Sequence, residues 1–154
     1  MRFTTSYLDK VYTSPDKYAA LVKEASKTVK RLQKKLNFDA IAFRGTSGAA
    51  MAYPISVATG IPLICVRKVK ERSHGRPVEG SHKFEVKSYL IVDDFIESGN
   101  TIDKIIDAIN HEIPWFEGAD VPCVGILLYA IYRKRKAYNN IPIFSVTIPK
   151  KKKR

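Results

Sequence analysis

Short runs of almost purely apolar residues alternate along this chain with longer stretches in which apolar residues recur at helical spacing. Apolar runs without polar alternation are typical of strands that are covered on both faces of a sheet. Such runs lie at 39–43, 61–66, 89–92, 124–132 and 141–148, and helical patterns lie at about 15–36, 47–59 and 101–110. The alternation predicts an α/β domain in which helices cover both sides of a parallel sheet.

Two of these helices carry local signals. Ser14-Pro15-Asp16 supplies an N-cap, a proline at the first helical position and an acid in the first turn, so the helix at 15–36 has a defined start. Pro54 falls within the helix at 47–59, which predicts that this helix begins late or kinks there. The polar segment 68–82 has weak periodicity and predicts a mobile loop or a loose hairpin.

The chain has 154 residues, of which 45% are hydrophobic, and this is enough for one core but not for two. We expect one domain over 1–149 and a solvated basic tail at 150–154. No apolar run reaches the roughly 20 residues that cross a bilayer, and the N-terminus lacks the apolar stretch of a signal peptide. These features predict a cytoplasmic protein with no membrane partner. Cys65 and Cys123 lie in apolar runs and are predicted to be buried reduced thiols rather than a disulfide or a redox pair.

The charge of the chain is strongly positive, since 27 Lys and Arg residues against 15 Asp and Glu residues give a net charge of +12. The tail at 150–154 carries 5 of these charges, and 12 minus 5 leaves +7 on the remaining chain. A basic surface of this size attracts polyanions, but it does not distinguish nucleic acid from phosphorylated small molecules.

The stretch YLIVDDFIESGNT, residues 89–101, combines two features that bind sugar phosphates. The apolar run leads to Asp93 and Asp94 at the carboxyl end of a predicted parallel strand, where ligands of α/β sheets bind. The turn 98–101 then opens into a helix, whose N–H groups and dipole favour a phosphate group. Taken singly, an acid pair after a strand is often only solvated, and a turn of small residues is often only a helix cap. Their combination predicts a sugar-phosphate site, and no Walker-type G-x-x-x-x-G-K-[ST] stretch is present to suggest another nucleotide site.

This stretch resembles the phosphoribosyl-pyrophosphate (PRPP) binding motif of type I phosphoribosyltransferases. The segment 43–48, FRGTSG, is similar to the short loop of that family that holds pyrophosphate. Val66-Arg67-Lys68, followed by His74-Gly75, is similar to the start of the flexible catalytic loop in its orotate-type form. The resemblance covers about 39–110, and the strand predicted at 124–132 fits the rest of the fold.

The resemblance implies a Rossmann-like type I phosphoribosyltransferase fold with a small or reduced hood. It also implies an enzyme that uses Mg²⁺ to transfer the 5-phosphoribosyl group from PRPP to a nucleobase with release of pyrophosphate. The partners would be PRPP, a nucleobase and a second copy of the chain in a homo-oligomer, a dimer. Glu97 replaces an Asp that is common in purine-using members, so it either exchanges a proton with the base or hydrogen-bonds the loop.

The resemblance also assigns roles to individual residues. The ribose hydroxyls would be held by Asp93 and Asp94, which would also bind Mg²⁺ directly or indirectly. The 5′-phosphate would be bound by Glu97, Ser98, Gly99, Asn100 and Thr101. Pyrophosphate would be bound by Arg44, Gly45, Thr46, Arg67 and Lys68. Catalytic roles would belong to Glu97, Lys68 and His74.

A second class of function stays open from the sequence. Some proteins of this fold bind RNA with a retained ligand site and little or no turnover, and the basic runs at 133–136 and 150–154 fit that description. Tyr129, Tyr132 and Tyr138 could stack on bases, although the first two are better explained as parts of a strand. An interaction protein with an inactive site is a third possibility.

Overall fold

The computed structural model describes residues 8–71, 75–80, 85–112, 120–130 and 135–148. Its helices are α1 (Asp9–Thr13), α2 (Pro15–Leu36), α3 (Gly45–Thr59) and α4 (Asn100–Glu112). Its strands are β1 (Ala40–Arg44), β2 (Leu63–Val66), β3 (Val78–Glu79), β4 (Tyr89–Asp93), β5 (Cys123–Leu128), β6 (Ala137–Tyr138) and β7 (Ile141–Ser145). A short 3₁₀ turn occupies Val69–Glu71.

Within the described residues the strands form one sheet in the order β3-β2-β1-β4-β5-β7-β6. The five central strands are parallel, whereas β3 and β6 pair antiparallel at the two edges. Counted in chain order, the parallel strands follow the sequence 2-1-3-4-5, in which the winding direction reverses between β1 and β4. Ligands of open α/β sheets bind at such a reversal, beyond the carboxyl ends of the strands. The expected place for a ligand site is therefore the carboxyl ends of β1 and β4.

Both faces of the sheet are buried, as the unbroken apolar runs predict. On one face, α2 and α3 cover side chains that include Leu90 and Val92 of β4. On the other, Ile102, Ile105 and Ile109 of α4 pack against side chains that include Ile91. Alternate residues of β4 thus enter different cores, and this explains why the strand has no polar side.

The predicted α/β domain with a mostly parallel sheet is confirmed, and the element bounds differ mainly at the edges. The prediction for 124–132 runs too long, because β5 ends at Leu128 and the next amides, of Tyr129 and Ala130, donate to the carbonyls of Asp93 and Asp94. The two-residue strands β3 and β6 were not predicted, since two residues carry no measurable periodicity. The loose-hairpin interpretation of 68–82 agrees with the antiparallel pairing of β2 and β3.

Other predictions concern residues inside and outside the described ranges. Cys65 and Cys123 are free and half-buried, and burial raises the pKa of both thiols. No helix in the described ranges is long and apolar enough to cross a membrane. The basic tail at 150–154 lies outside the described residues, so the domain limits stay a prediction. The reduced hood also stays a prediction, because residues 1–7, 113–119 and 131–134 lie outside them as well.

Pro54 does not delay the start of α3, which begins at Gly45 and runs through the proline to Thr59. A proline within a helix has no N–H for the carbonyl four residues earlier, here that of Ala50. The hydroxyl of Tyr18 in α2 donates a hydrogen bond to this carbonyl instead. The side chain of one helix thus satisfies a backbone group that the proline of its neighbour leaves without a helical partner.

We predict that Tyr18→Phe lowers the free energy of unfolding by about 1–2 kcal/mol, because it leaves the Ala50 carbonyl without its donor. Urea denaturation measures this loss. In a Pro54→Ala background the backbone N–H is restored, so the same Tyr18→Phe change should cost less. An equal loss in both backgrounds would show that the tyrosine contributes by packing alone.

Candidate functional site

Two carboxylates lie at the carboxyl end of β4. Asp93 is the last residue of the strand and is only 4% exposed, whereas Asp94 follows it and is half-buried. Asp93 Oδ1 accepts a hydrogen bond from Ser47 Oγ at 3.1 Å and one from the Asp94 backbone N–H at 2.9 Å. Asp94 Oδ1 accepts from the N–H of Phe95 at 2.9 Å. These bonds fix both acids at the mouth of the sheet.

Burial has a direct effect on the protonation of Asp93. The low-dielectric surroundings, together with the neighbouring charge of Asp94, raise the pKa of Asp93 from 3.8 to about 7, although the bonds from the Asp94 backbone N–H and from Ser47 oppose the rise. A buried acid with this pKa exchanges its proton near neutral pH. Displaced pKa values of this kind cluster at functional sites.

The turn after the acids has the form predicted for a phosphate-binding cradle. Gly99 adopts a φ of +90°, which favours glycine, and the α4 helix begins at the next residue. The N–H of Asn100 donates to Ser98 Oγ at 3.3 Å, and the N–H of Asp103 donates to the Gly99 carbonyl at 3.0 Å as the first turn closes. The turn therefore presents the positive end of the α4 dipole.

The acids and the cradle share one cleft. It has a volume of about 310 Å³ and is lined by Ser47 and by the continuous run 93–102. All the residues predicted to hold ribose and the 5′-phosphate thus border a single space, among them Glu97, Ser98, Asn100 and Thr101. Glu97 is exposed, so its carboxylate is open to solvent and to a ligand in the cleft.

The predicted pyrophosphate loop lies beside this cleft, at the end of β1. Arg44 ends the strand, and Gly45 opens α3 with a φ of +70°. Lys68 approaches this loop from the segment after β2, since a Cβ on Gly45 would lie 2.8 Å from Lys68 Cε and 3.0 Å from its Nζ. The structure therefore brings together Arg44, Gly45, Thr46 and Lys68, although they come from two separate segments.

Arg67 is placed differently. Its Nη2 forms an ion pair with Glu79 of β3 at 2.9 Å, and its Nη1 donates to the Glu71 carbonyl at 3.4 Å. In this arrangement the guanidinium holds the β2–β3 hairpin together. A role on pyrophosphate would require the Arg67–Glu79 pair to open. His74 lies outside the described residues, so its catalytic role stays a prediction.

Ser47 and Tyr129 belong to the site, although the sequence analysis assigned them no role there. Ser47 donates to Asp93, and the hydroxyl of Tyr129 donates to the Ser47 carbonyl at 2.5 Å. Tyr129 is 6% exposed, so it supports the site from inside and its ring is not available to stack on a base. The signal for Ser47 was its place in the FRGTSG loop. Tyr129 carried no signal for this role, because the sequence analysis placed it inside the strand predicted at 124–132.

Comparison with known proteins identifies the family. The family model "Phosphoribosyl transferase domain" matches residues 12–144, and the chain therefore belongs to the type I phosphoribosyltransferase family. It is 33% identical over 107 residues to an orotate phosphoribosyltransferase of Sinorhizobium fredii, a match that covers 67% of this chain and 45% of the relative. The chain thus spans about half the length of the curated relatives it matches.

Solved structures share the fold. The UMP synthase of Leishmania donovani superposes with a TM-score of 0.65 at 22% identity, over 90% of this chain and 28% of that chain. The orotate phosphoribosyltransferase of Mycobacterium tuberculosis H37Rv, solved in complex with PRPP, superposes with a TM-score of 0.62 at 19% identity, over 90% of this chain and 77% of that one. Both likenesses support the type I phosphoribosyltransferase fold.

The raised pKa of Asp93 predicts a pH-dependent cost to stability. Between pH 4 and pH 7 the folded protein keeps a proton on Asp93 that the unfolded chain releases, so stability falls as the pH rises through this window. Asp93→Asn keeps an oxygen acceptor and removes the charge. The free energy of unfolding of Asp93→Asn relative to wild type should therefore increase by about 1.4 kcal/mol for each pH unit between pH 5 and the folded pKa of about 7. Above that pKa the difference should level off toward pH 8.

Urea denaturation at several pH values checks this prediction. The exposed Asp107→Asn, in the middle of α4, is the matched control and should show no comparable trend. If the difference between Asp93→Asn and wild type stays constant from pH 5 to pH 8, Asp93 is ionised in the folded protein at the lower pH and the prediction is wrong.

Proposed function

We propose that this protein transfers the 5-phosphoribosyl group from PRPP to a nucleobase and releases pyrophosphate. The observation that supports the proposal most is the single cleft that joins two carboxylates to a phosphate-binding turn at the reversal of the sheet. In the reaction the bond from the anomeric carbon to the pyrophosphate oxygen breaks and its electron pair leaves with pyrophosphate. A ring nitrogen of the base supplies the pair for the new bond, and its proton goes to a general base.

We propose one orientation for the sugar phosphate in the cleft. The 5′-phosphate would bind at Ser98–Thr101 by the N-terminus of α4, and the ribose hydroxyls would hydrogen-bond to Asp93 and Asp94. This leaves the anomeric carbon toward the end of β1, where Lys68 and Gly45 meet. Glu97 is the exposed carboxylate of the cleft and the candidate acceptor for the proton of the base.

The pyrophosphate end requires positive charge, because a polyanion departs while the sugar becomes cationic. Arg44 at the end of β1 and the ammonium group of Lys68 beside Gly45 would supply that charge, and the backbone of Gly45 would allow a ligand to approach closely. We also propose that the segment 68–82 closes over pyrophosphate to exclude water. Such a closure would start from the present arrangement, in which β2 pairs with β3 and Arg67 forms an ion pair with Glu79.

The donor set fits Mg²⁺ bound together with substrate. No cluster of three or more His, Cys, Asp or Glu that could hold a metal occurs among the described residues. Mg²⁺ is usually bound by one or two carboxylates plus phosphate oxygens and water, and Asp93 and Asp94 can supply the carboxylates. When bound, the ion would neutralise charge on the pyrophosphate group. Because Asp93 must be deprotonated, Mg²⁺–PRPP affinity should rise with pH through about 7.

Orotate is the first acceptor to test, since the curated relatives are orotate phosphoribosyltransferases and the Arg67-Lys68 segment resembles their loop. The homo-oligomer implied by the resemblance stays a proposal, and the exposed Tyr53 and Val57 of α3 are a candidate contact face for it. The nucleic-acid alternative also stays open, because the runs at 133–136 and 150–154 lie mostly outside the described residues.

The double variant Asp93→Asn/Asp94→Asn should bind Mg²⁺–PRPP at least about 100-fold more weakly, because two charge-assisted contacts are lost while the side-chain shape is kept. Isothermal titration calorimetry measures the affinity, and pyrophosphate release with orotate and a panel of other bases measures turnover. The control variant Asp107→Asn/Glu112→Gln also removes two acidic groups, at exposed positions of α4, and should bind Mg²⁺–PRPP with wild-type affinity. Unchanged PRPP affinity in the acid-pair variant would overturn the proposed site.

Lys68→Ala should lower kcat by at least about tenfold, because the ammonium beside Gly45 would no longer stabilise the leaving pyrophosphate. The neighbouring Lys70, an exposed residue of the 3₁₀ turn, provides the matched control. Steady-state rates of pyrophosphate release for Lys68→Ala and Lys70→Ala separate a local contact from the general loss of one positive charge. Equal effects of the two variants would exclude a specific role for Lys68.

A further inference from the structure

A tight hairpin holds Tyr138 at the edge of the candidate site. Tyr138 ends β6 and pairs with Ile141, the first residue of β7. The two residues between them, Asn139 and Asn140, have φ values of 47° and 65°, as a two-residue hairpin turn requires. The N–H of Ile143 also donates to the Lys136 carbonyl at 2.9 Å, so the hairpin is anchored on both sides of the turn. The position of Tyr138 is therefore set by the backbone.

The phenol of Tyr138 lies directly against the phosphate-binding turn. A Cβ placed on Gly99 would come within 2.2 Å of the hydroxyl oxygen and of two ring carbons of Tyr138. The same hydroxyl donates a hydrogen bond to Asp103 Oδ2 at 2.8 Å, in the first turn of α4. One side chain thus contacts both the glycine of the turn and the acid that follows it.

We propose that Tyr138 is a positioning residue for the 5′-phosphate: it holds Gly99 in place and keeps the Asp103 carboxylate bonded away from the bound phosphate. This inference rests on the proposed function of the cleft. It concerns a residue that lies 39 positions beyond Gly99 in the chain and does not line the cleft.

Asp103 is the reason that such a residue is needed. An acid in the first turn stabilises the helix, but it also competes with an anionic ligand for the positive end of the dipole. A phenol that donates to the carboxylate withdraws negative charge from the side facing the ligand and fixes the rotamer of the acid. The bond to Asp103 also raises the pKa of the Tyr138 hydroxyl, so the phenol stays protonated and donates at neutral pH.

The contact with Gly99 adds a steric restraint. The φ of +90° at Gly99 is required by the turn, and the phenol occupies the space on the side where a side chain would stand. The rigid ring of Tyr138 therefore packs against one side of Gly99, and the side of Gly99 that faces the cleft remains available to the phosphate. The pyrophosphate loop at Gly45 belongs to a different strand end, so its affinity for pyrophosphate should not depend on Tyr138.

The test compares two ligands in four forms of the whole chain: wild type, Tyr138→Phe, Asp103→Asn and the double variant. Ribose 5-phosphate probes the cradle, and Mg²⁺–pyrophosphate probes the other end of the site. Tyr138→Phe should weaken ribose 5-phosphate binding about 3- to 10-fold, as expected for the loss of one hydrogen bond. Mg²⁺–pyrophosphate binding should be unchanged, which also shows that the variant is folded.

The double variant identifies the mechanism. If Tyr138 acts by restraining a charged Asp103, adding Tyr138→Phe to Asp103→Asn should change ribose 5-phosphate affinity by less than about twofold. In turnover, Tyr138→Phe should raise the KM for PRPP and leave kcat within about twofold, since the phosphate lies far from the reacting bond. Tyr12→Phe, an exposed tyrosine of α1, is the control and should leave all these values unchanged.

Three results would count against the proposal in distinguishable ways. Unchanged ribose 5-phosphate affinity in Tyr138→Phe overturns the positioning role and leaves the proposed function intact. Equal weakening of both ligands shows that the tyrosine only supports the fold. If the wild-type protein binds neither ribose 5-phosphate nor PRPP, the proposed function fails and the inference fails with it.

Discussion

The parallel pairing of β1 with β4 is the constraint on which the site depends. Ala40 pairs with Tyr89 and Ala42 with Ile91, so the same register continued along the strands places Arg44 opposite Asp93. One strand then ends in a cation and the loop that opens α3, and the other ends in an acid pair and the turn that opens α4. A slip of one residue would turn every side chain of β4 to the opposite face and remove Asp93 from the cleft. The two cores on either side of the sheet hold this register, because each needs its own alternate set of β4 residues.

Asp93 is where stability and function oppose each other most clearly. Its carboxylate lies at 4% exposure beside a second acid, and the resulting rise in pKa means that its charged form is disfavoured in the folded protein. Ser47 and the Asp94 amide donate to the same oxygen and offset part of that cost. Tyr129 in turn holds the Ser47 carbonyl, so a residue after β5 supports an acid at the end of β4. An apolar residue would be more stable at position 93, but it could not take the role proposed for Asp93, which is to hold sugar hydroxyls or a cation.

The sequence predicted the features that local patterns determine. The helix at 15–36 has the predicted bounds, and the acids and the small-residue turn of 89–101 lie in one cleft, because both follow from residues that are adjacent in the chain. Contacts between distant residues could not be predicted. The approach of Lys68 to Gly45, the Arg67–Glu79 ion pair and the packing of Tyr138 on Gly99 each depend on how a loop or a two-residue edge strand folds back. The donor that compensates for Pro54 inside α3 could not be predicted for the same reason, since it comes from another helix, 36 positions earlier in the chain.

Net charge and local charge have separate roles in this protein. The chain carries +12 overall, and the outer face of α2 is rich in lysine, yet the described part of the cleft is lined by acids, Ser47, the polar turn and the apolar Phe95, Ile96 and Ile102. A positive field over the molecule attracts any polyanion and weakens with salt, so it does not by itself select a ligand. Selection of the ligand must therefore come from the cleft. The carboxylate pair there repels an anion unless that anion also offers hydroxyl groups or a bound cation to contact the carboxylates. In the proposed function a phosphorylated sugar would meet both requirements, because its phosphate would bind at the helix N-terminus and its hydroxyls would hydrogen-bond to the acids.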